Sequence, residues 1–191
     1  MHIATWTTFI LLLGASTCSN GQSSAALDWV RANEATIRLS PAAFPSLTAS
    51  IRRELERRGC SIPQSYDINT AHNIVRGRFT TSTQDDVAVL CSRKRVSTIL
   101  VFRGGLSTNI AEFASEPDIN YLQVIGPDGA IGFSRMLGIA GQKYILKNHE
   151  SFGGPKPPPL DHQGIDDAFL DKASTVWYWH GRRWKQLRGV D

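Results

Sequence analysis

Three groups of residues in this 191-residue chain have side chains of the types that chemistry needs. The first is Asp161-His162-Gln163-Gly164-Ile165-Asp166-Asp167. Asp161, Gln163, Asp166 and Asp167 carry side-chain oxygens, the donors that a hard cation such as calcium prefers. The same composition also makes a solvated turn ahead of a strand. The second group is Val176-Trp177-Tyr178-Trp179, followed by Arg182, Arg183, Trp184 and Lys185. Strand alternation puts Trp177 and Trp179 on one face and Tyr178 on the other. Beside Arg182 and Arg183 such a pair could stack on sugar rings or grip an anionic polymer; the alternative is that these aromatics fill the core. The third group is the histidines His72, His149, His162 and His180. No zinc helix motif is formed, because His149-Glu150 lacks a second His four residues after the first. Gly132-Phe133-Ser134-Arg135-Met136 begins like a nucleophile elbow, but Met136 stands where the closing glycine belongs, so Ser134 reads as a strand serine. No Gly-rich loop opens a helix, which leaves no phosphate cradle.

The elements that must position these groups are mostly strands. One helix is expected over residues 46–58, where Leu47, Ile51 and Leu55 recur at i, i+4, i+8 with Ser46 as its cap. Arg57 and Arg58 suit its C-terminus and Gly59 its stop. Residues 25–39 show no clean period. Ile74 and Val75 open a strand, and Val87-Ala88-Val89-Leu90 is continuously apolar, as in a strand buried on both faces. Arg93-Lys94-Arg95 makes a turn, and residues 96–102 return. Residues 106–118 read as loop, and 120–125 as a strand closed by the Pro127-Asp128-Gly129 turn. Residues 130–139 pair back across it. The Gly- and Pro-rich stretch 153–159 is a stiff connector. Two last strands, 174–179 and 184–188, flank His180-Gly181. The expected fold is one β-rich α+β domain over residues 25–191. In it an N-terminal helix packs on an antiparallel sheet centred on the 85–103 hairpin, and the C-terminal hairpin joins that sheet or covers its edge.

Residues 1–24 contain no Asp, Glu, Lys or Arg and have an apolar centre at Phe9–Leu13. This pattern suits a signal peptide, too short to span a membrane, and predicts a secreted or periplasmic protein with no transmembrane segment in the mature chain. Lipid attachment through Cys18 is the alternative. With the leader removed, Cys60 and Cys91 remain, and an oxidising compartment predicts a disulfide between them. The formal net charge of +4 suits contact with anionic surfaces and is too small to signal nucleic-acid binding.

A weak internal echo sets Asp86-Val87-Ala88-Val89-Leu90 against Asp166-Asp167-Ala168-Phe169-Leu170, and Ser97-Thr98-Ile99 against Ser174-Thr175-Val176. Gly77-Arg78-Phe79, Asp85-Asp86-Val87-Ala88-Val89 and Ile99-Leu100-Val101-Phe102-Arg103-Gly104 together resemble a degenerate FG-GAP repeat of integrin-type propellers. Residues 161–168 are similar to the acidic loop of such repeats. The resemblance implies blade-like hairpins and a calcium loop. The chain departs from that pattern where Thr81, Ser82 and Thr83 replace acidic residues in the first copy and Gln163 does so in the second. Two copies also do not close a propeller. Residues 39–64 with the hairpin resemble uncharacterised secreted bacterial proteins.

The function these features suggest is a non-catalytic module that binds an envelope component or another protein. The competing class is a hydrolase whose site assembles from dispersed residues such as His72, His149, His162 and the acidic loop.

Overall fold

The computed structural model describes residues 20–190, with side chains from residue 26 onward. The leader residues 1–19, and with them the apolar run and Cys18, lie outside the described residues. Helix α1 (Asn20–Ala35) comes first, followed by the short strand β1 (Arg38–Leu39). Helix α2 (Ala49–Arg57) is capped by Thr48, whose hydroxyl accepts the Ile51 backbone N–H at 3.3 Å. Ser46 is not the cap, because Leu47 closes a turn onto the Phe44 carbonyl and delays the first helical residue. The Leu47, Ile51 and Leu55 stripe is buried as the spacing predicts. Each such side chain contributes roughly 1.5–3 kcal/mol by leaving water.

Strand β2 (Ile62–Pro63) pairs with β1. Strands β3 (Ile74–Gly77), β4 (Asp86–Arg93), β5 (Val96–Phe102) and β6 (Ile110–Pro117) then form an antiparallel meander. Strand β6 occupies the stretch that reads as loop. Its alternation is disguised by a register shift opposite Ser97 and Ile99 and by Ala114, a non-glycine at φ +54°, as at a β-bulge. A small hairpin, β7 (Leu122–Ile125) and β8 (Ala130–Phe133), follows around the expected Pro127-Asp128-Gly129 turn.

The predicted strand 130–139 breaks at Ser134. Beyond it β9 (Arg135–Ala140) enters a different sheet. Helix α3 (Gln142–Phe152) interrupts the chain where no helix is expected from sequence. It is followed by β10 (Gly164–Phe169), β11 (Ala173–His180) and β12 (Arg183–Arg188). These three strands and β9 make a second four-stranded antiparallel meander. The C-terminal hairpin therefore does not join the 85–103 sheet but completes a sheet of its own.

Alternation in the strands assigns the layers. Val87, Val89 and Cys91 of β4, with Leu100 and Phe102 of β5, pack against Ile51 and Leu55 of α2. Ala88, Leu90, Ile99 and Val101 point the other way and meet Leu137 and Ile165 of the second sheet, with Leu122 and Phe133 of the small hairpin between them. The far face of the second sheet, Ala140, Val176, Tyr178 and Leu187, packs on Ile145 of α3. The result is a β-rich α+β arrangement in which two sheets face one another, α2 and α3 cover the outsides, and the N-terminal helix α1 lies on β8. Strand β4 is buried along almost its whole length, which is why its sequence is continuously apolar instead of alternating. Cys60 and Cys91 form a disulfide that fastens the end of α2 to β4.

Candidate functional site

In a four-stranded meander the first and third connections lie at one end. Here these are residues 78–85 and 103–109 in the first sheet, and 141–163 and 181–182 in the second. Contacts between the sheets put all four at the same end of the molecule. The Gln163 backbone N–H donates to the Arg78 carbonyl at 2.8 Å, and the Arg78 N–H donates to Gln163 Oε1 at 2.8 Å. The Arg103 guanidinium lies 4.1 Å above the Trp179 ring.

Asp86 organises the first-sheet half of this end. It is fully buried. Its Oδ2 accepts from the Phe79 and Thr80 backbone N–H groups and from the Thr80 hydroxyl, and its Oδ1 accepts from Gln84 Nε2 and the Gly104 N–H. Five donors on one carboxylate tie the 78–85 loop to the 103–109 loop and place Arg103 at the end of β5. Asp86 thus shapes the turn instead of facing a ligand. Gly77 is required close by, because a Cβ there would sit 2.7 Å from the Phe79 ring and 2.8 Å from Gln163 Oε1.

The second-sheet half is built from aromatics. Trp179 and Trp184 are cross-strand partners with ring centroids 5.5 Å apart. Trp184 stacks on Phe113 of β6 at 4.5 Å, and Phe113 lies 5.1 Å from Trp177. Trp177 Nε1 donates to Asp167 Oδ2 at 3.2 Å. The aromatic run therefore begins against a buried ion pair and ends at the open edge, where Arg103 covers one face of Trp179. The two readings of the tryptophans both describe part of it. Trp177 and Trp184 pack with the core, whereas Trp179 lies at the end beside the exposed Arg182 and Arg183. Gly181 and Arg182 both have positive φ, at +61° and +64°, the geometry of a tight two-residue hairpin turn. That turn projects Arg182, Arg183 and Lys185 in a stretch free of acidic residues, and none of the three forms an ion pair among the described residues. The Nε atoms of Arg103 and Trp184 (Nε1) are buried without a hydrogen-bond partner.

The four candidate residues of the acidic segment do not come together. Asp161 is exposed, and its Oδ1 accepts from the Tyr178 hydroxyl at 3.2 Å. Gln163 is committed to Arg78. Asp166 and Asp167 are adjacent in β10 and so face opposite sides of the sheet. Asp166 points to α3, where the Tyr144 hydroxyl donates to it at 3.1 Å, and burial pushes its carboxyl up despite bonds from Ser174 and Tyr144. Asp167 points to the first sheet and holds Arg135 Nε and Nη2, each at 2.8 Å. Among the described residues no group of three or more His, Cys, Asp or Glu side chains is arranged to hold a metal ion.

The histidines are equally dispersed. His72 Nε2 accepts the Ser65 N–H at 2.7 Å, which leaves Nδ1 to donate to the Thr70 carbonyl. His149 sits in the last turn of α3 with Nδ1 against the Gly153 carbonyl. His162 stacks on Tyr178 at 4.3 Å, with its ring nitrogens facing the Gln163 and Trp179 carbonyls. No two of these three rings share a partner. Ser134 is buried between β8 and β9 and donates to the Gly132 carbonyl.

Arg103 is the residue of this site that pattern reading misses. Its signal is faint: a cation directly after an apolar strand and before Gly104-Gly105. Arg135 is missed for a different reason, since a charge mid-chain in Ser134-Arg135-Met136 looks solvated and is in fact fully buried. Comparison with known proteins returns no match to a family model, to a curated protein or to a solved structure. Among the described residues, no helix is long and apolar enough to cross a membrane.

Proposed function

We propose that this chain is a secreted or periplasmic binding module that grips an anionic, ring-bearing polymer of the envelope, without catalysing a reaction on it, through the end of its two sheets formed by Arg103, Trp179, Trp184 and the 181–185 turn. The observation that carries this reading is the pairing of a cation-covered indole with a hairpin tip whose basic side chains form no ion pair among the described residues. Trp179 supplies a flat apolar surface, Arg103 holds it in place, and Arg182, Arg183 and Lys185 supply long-range attraction to a negatively charged chain. The Cys60–Cys91 disulfide supports an oxidising compartment. The two four-stranded meanders support a relation to blade-type repeats, with Asp86 and Asp166 each on the second strand. The hairpin registers differ, Ala88 pairing with Val101 and Ala168 with Ser174.

Dextran sulfate and neutral dextran test the reading cleanly, because they share a backbone and differ in charge. The protein should bind dextran sulfate at low salt, release it as salt rises, and bind neutral dextran more weakly. Replacing Arg182→Glu with Arg183→Glu should weaken the sulfated ligand by roughly tenfold or more. Trp179→Ala should weaken both ligands. No binding at low salt, or equal binding by the double charge reversal, would remove the proposal.

A further inference from the structure

A second site lies away from the aromatic end, in a cavity of about 430 Å³ between the C-terminal turn of α1, the 64–71 segment and the β7–β8 hairpin. Its walls are apolar: Leu39, Ile68, Ile125, Ile131 and Phe133, with Ala32 from the helix. None of the lining side chains is charged. A volume in this range is that of a small-molecule site.

The polar atoms of the lining are turned to other partners. Gln64 uses both ends of its amide, donating to the Ile62 and His72 carbonyls and accepting from the His72 N–H. Ser65 donates to the Arg135 carbonyl, Tyr66 to Asp171 and Thr36 to the Ala32 carbonyl. The interior therefore offers a guest a mostly hydrocarbon surface whose polar side chains are already engaged. At the rim, Asn69, Thr70 and Ala71 are exposed, and Ile37 shows 66% of its surface to solvent. Gly132 sets the floor, since a Cβ there would come within 2.7 Å of Ile125 and 2.8 Å of Tyr66.

From the uncharged apolar walls and the uncharged polar rim we infer that this cavity takes the acyl chain of a neutral amphiphile, with a hydroxyl- or ester-type head at Asn69 and Thr70. A carboxylate head would find no cation in the lining, and drawing an unpaired charge even partly out of water at the rim carries a cost. The inference is independent of the proposed polymer site, which shares no residue with it.

The test uses the full chain and the uncharged fluorescent probe N-phenyl-1-naphthylamine. Bound probe should brighten and be displaced by decanol, with decanoate weaker by roughly tenfold. Ala35→Trp and Ala71→Trp place large rings at exposed lining positions. Each should weaken probe binding by roughly tenfold with an unchanged melting temperature, because neither alanine is part of the core. Absent binding, equal displacement by decanol and decanoate, or unchanged binding in both tryptophan variants overturns the inference. A concentration-dependent dimer that excludes the probe overturns it too, by assigning the cavity to a second copy of the chain.

Discussion

The two four-stranded meanders have the same order of connection and are held in opposite ways. The first, β3 to β6, is stapled. A disulfide ties β4 to the end of α2, and Asp86 gathers five donors from both of its neighbouring loops. The second, β9 to β12, has no such staple. Its outer face rests on α3 through Tyr144 and Asp166, and one Asp166 oxygen is buried without a partner. The first sheet is a rigid frame. The second carries the aromatic run and the basic turn, and it borrows order from the first at the faces where they meet.

Arg135 is the strongest of those borrowings, and breaking it should produce the largest effect. Its guanidinium leaves β9, binds Asp167 in a bidentate pair, and reaches the Ser97 and Ala114 carbonyls of the first sheet. It also lies 4.5 Å over the Tyr121 ring. Burial works against the Arg135 charge and the Asp167 bonds more than offset it, while burial, with the Asp167 charge adding, pushes the Tyr121 hydroxyl up to about 12. Arg135→Met strands a buried carboxylate and should cost about 3–5 kcal/mol in urea unfolding. Adding Asp167→Leu should restore much of that loss, because no uncompensated charge is then left inside. Equal losses in the single and double variants would mean that the guanidinium acts through its carbonyl contacts and not through the ion pair.

The disulfide comes next. Cys60 and Cys91 are 31 residues apart in sequence, and the chain-entropy account gives roughly 3–4 kcal/mol for closing such a loop. Replacing both with alanine should lower global stability by about that amount. Because the second sheet borrows order from the first, it should also speed backbone amide exchange in β10 and β11 along with α2 and β4. Unchanged exchange in β10 and β11 while α2 and β4 loosen would mean that the second sheet does not depend on the first.

How much of this is legible in the sequence follows the same division. Strand β4 and its partner stand out because burial on both faces needs an unbroken apolar run, and no helix period competes with it. Helix α2 stands out because only one narrow stripe is buried. Strand β6 is hidden because its bulge at Ala114 breaks the alternation that identifies a strand. Helix α3 is hidden because half of its apolar positions are exposed: Leu146 and Phe152 face solvent while Ile145 does not. The aromatic and basic turn is visible residue by residue, but its Arg103 is not, since it arrives from another sheet some 76 residues away in sequence from Trp179. The acidic segment misleads for a local reason. Consecutive aspartates look like one ligand group, and a strand sends Asp166 and Asp167 to opposite faces.

The smallest effect is the most discriminating, because it asks the same question of both sheets. Asp86 and Asp166 stand at matching places in the sequence echo and in contrasting surroundings. Asp86→Asn should destabilise by about 2 kcal/mol, as an amide nitrogen is forced among groups that all donate. Asp166→Asn should do the reverse at neutral pH. Burial raises the Asp166 pKa above its ordinary 3.8, so between the unfolded and folded values the folded state binds more proton than the unfolded state. Stability from this group is then full below pH 3.8 and declines as pH rises through the folded value. The asparagine keeps an oxygen for the Tyr144 hydroxyl and has no charge to bury. Thermal melts should therefore show Asp166→Asn above the wild type at pH 7, with the gap closing toward about pH 3. A gap of constant size across that range would mean that the Asp166 charge is not what sets the second sheet apart from the first.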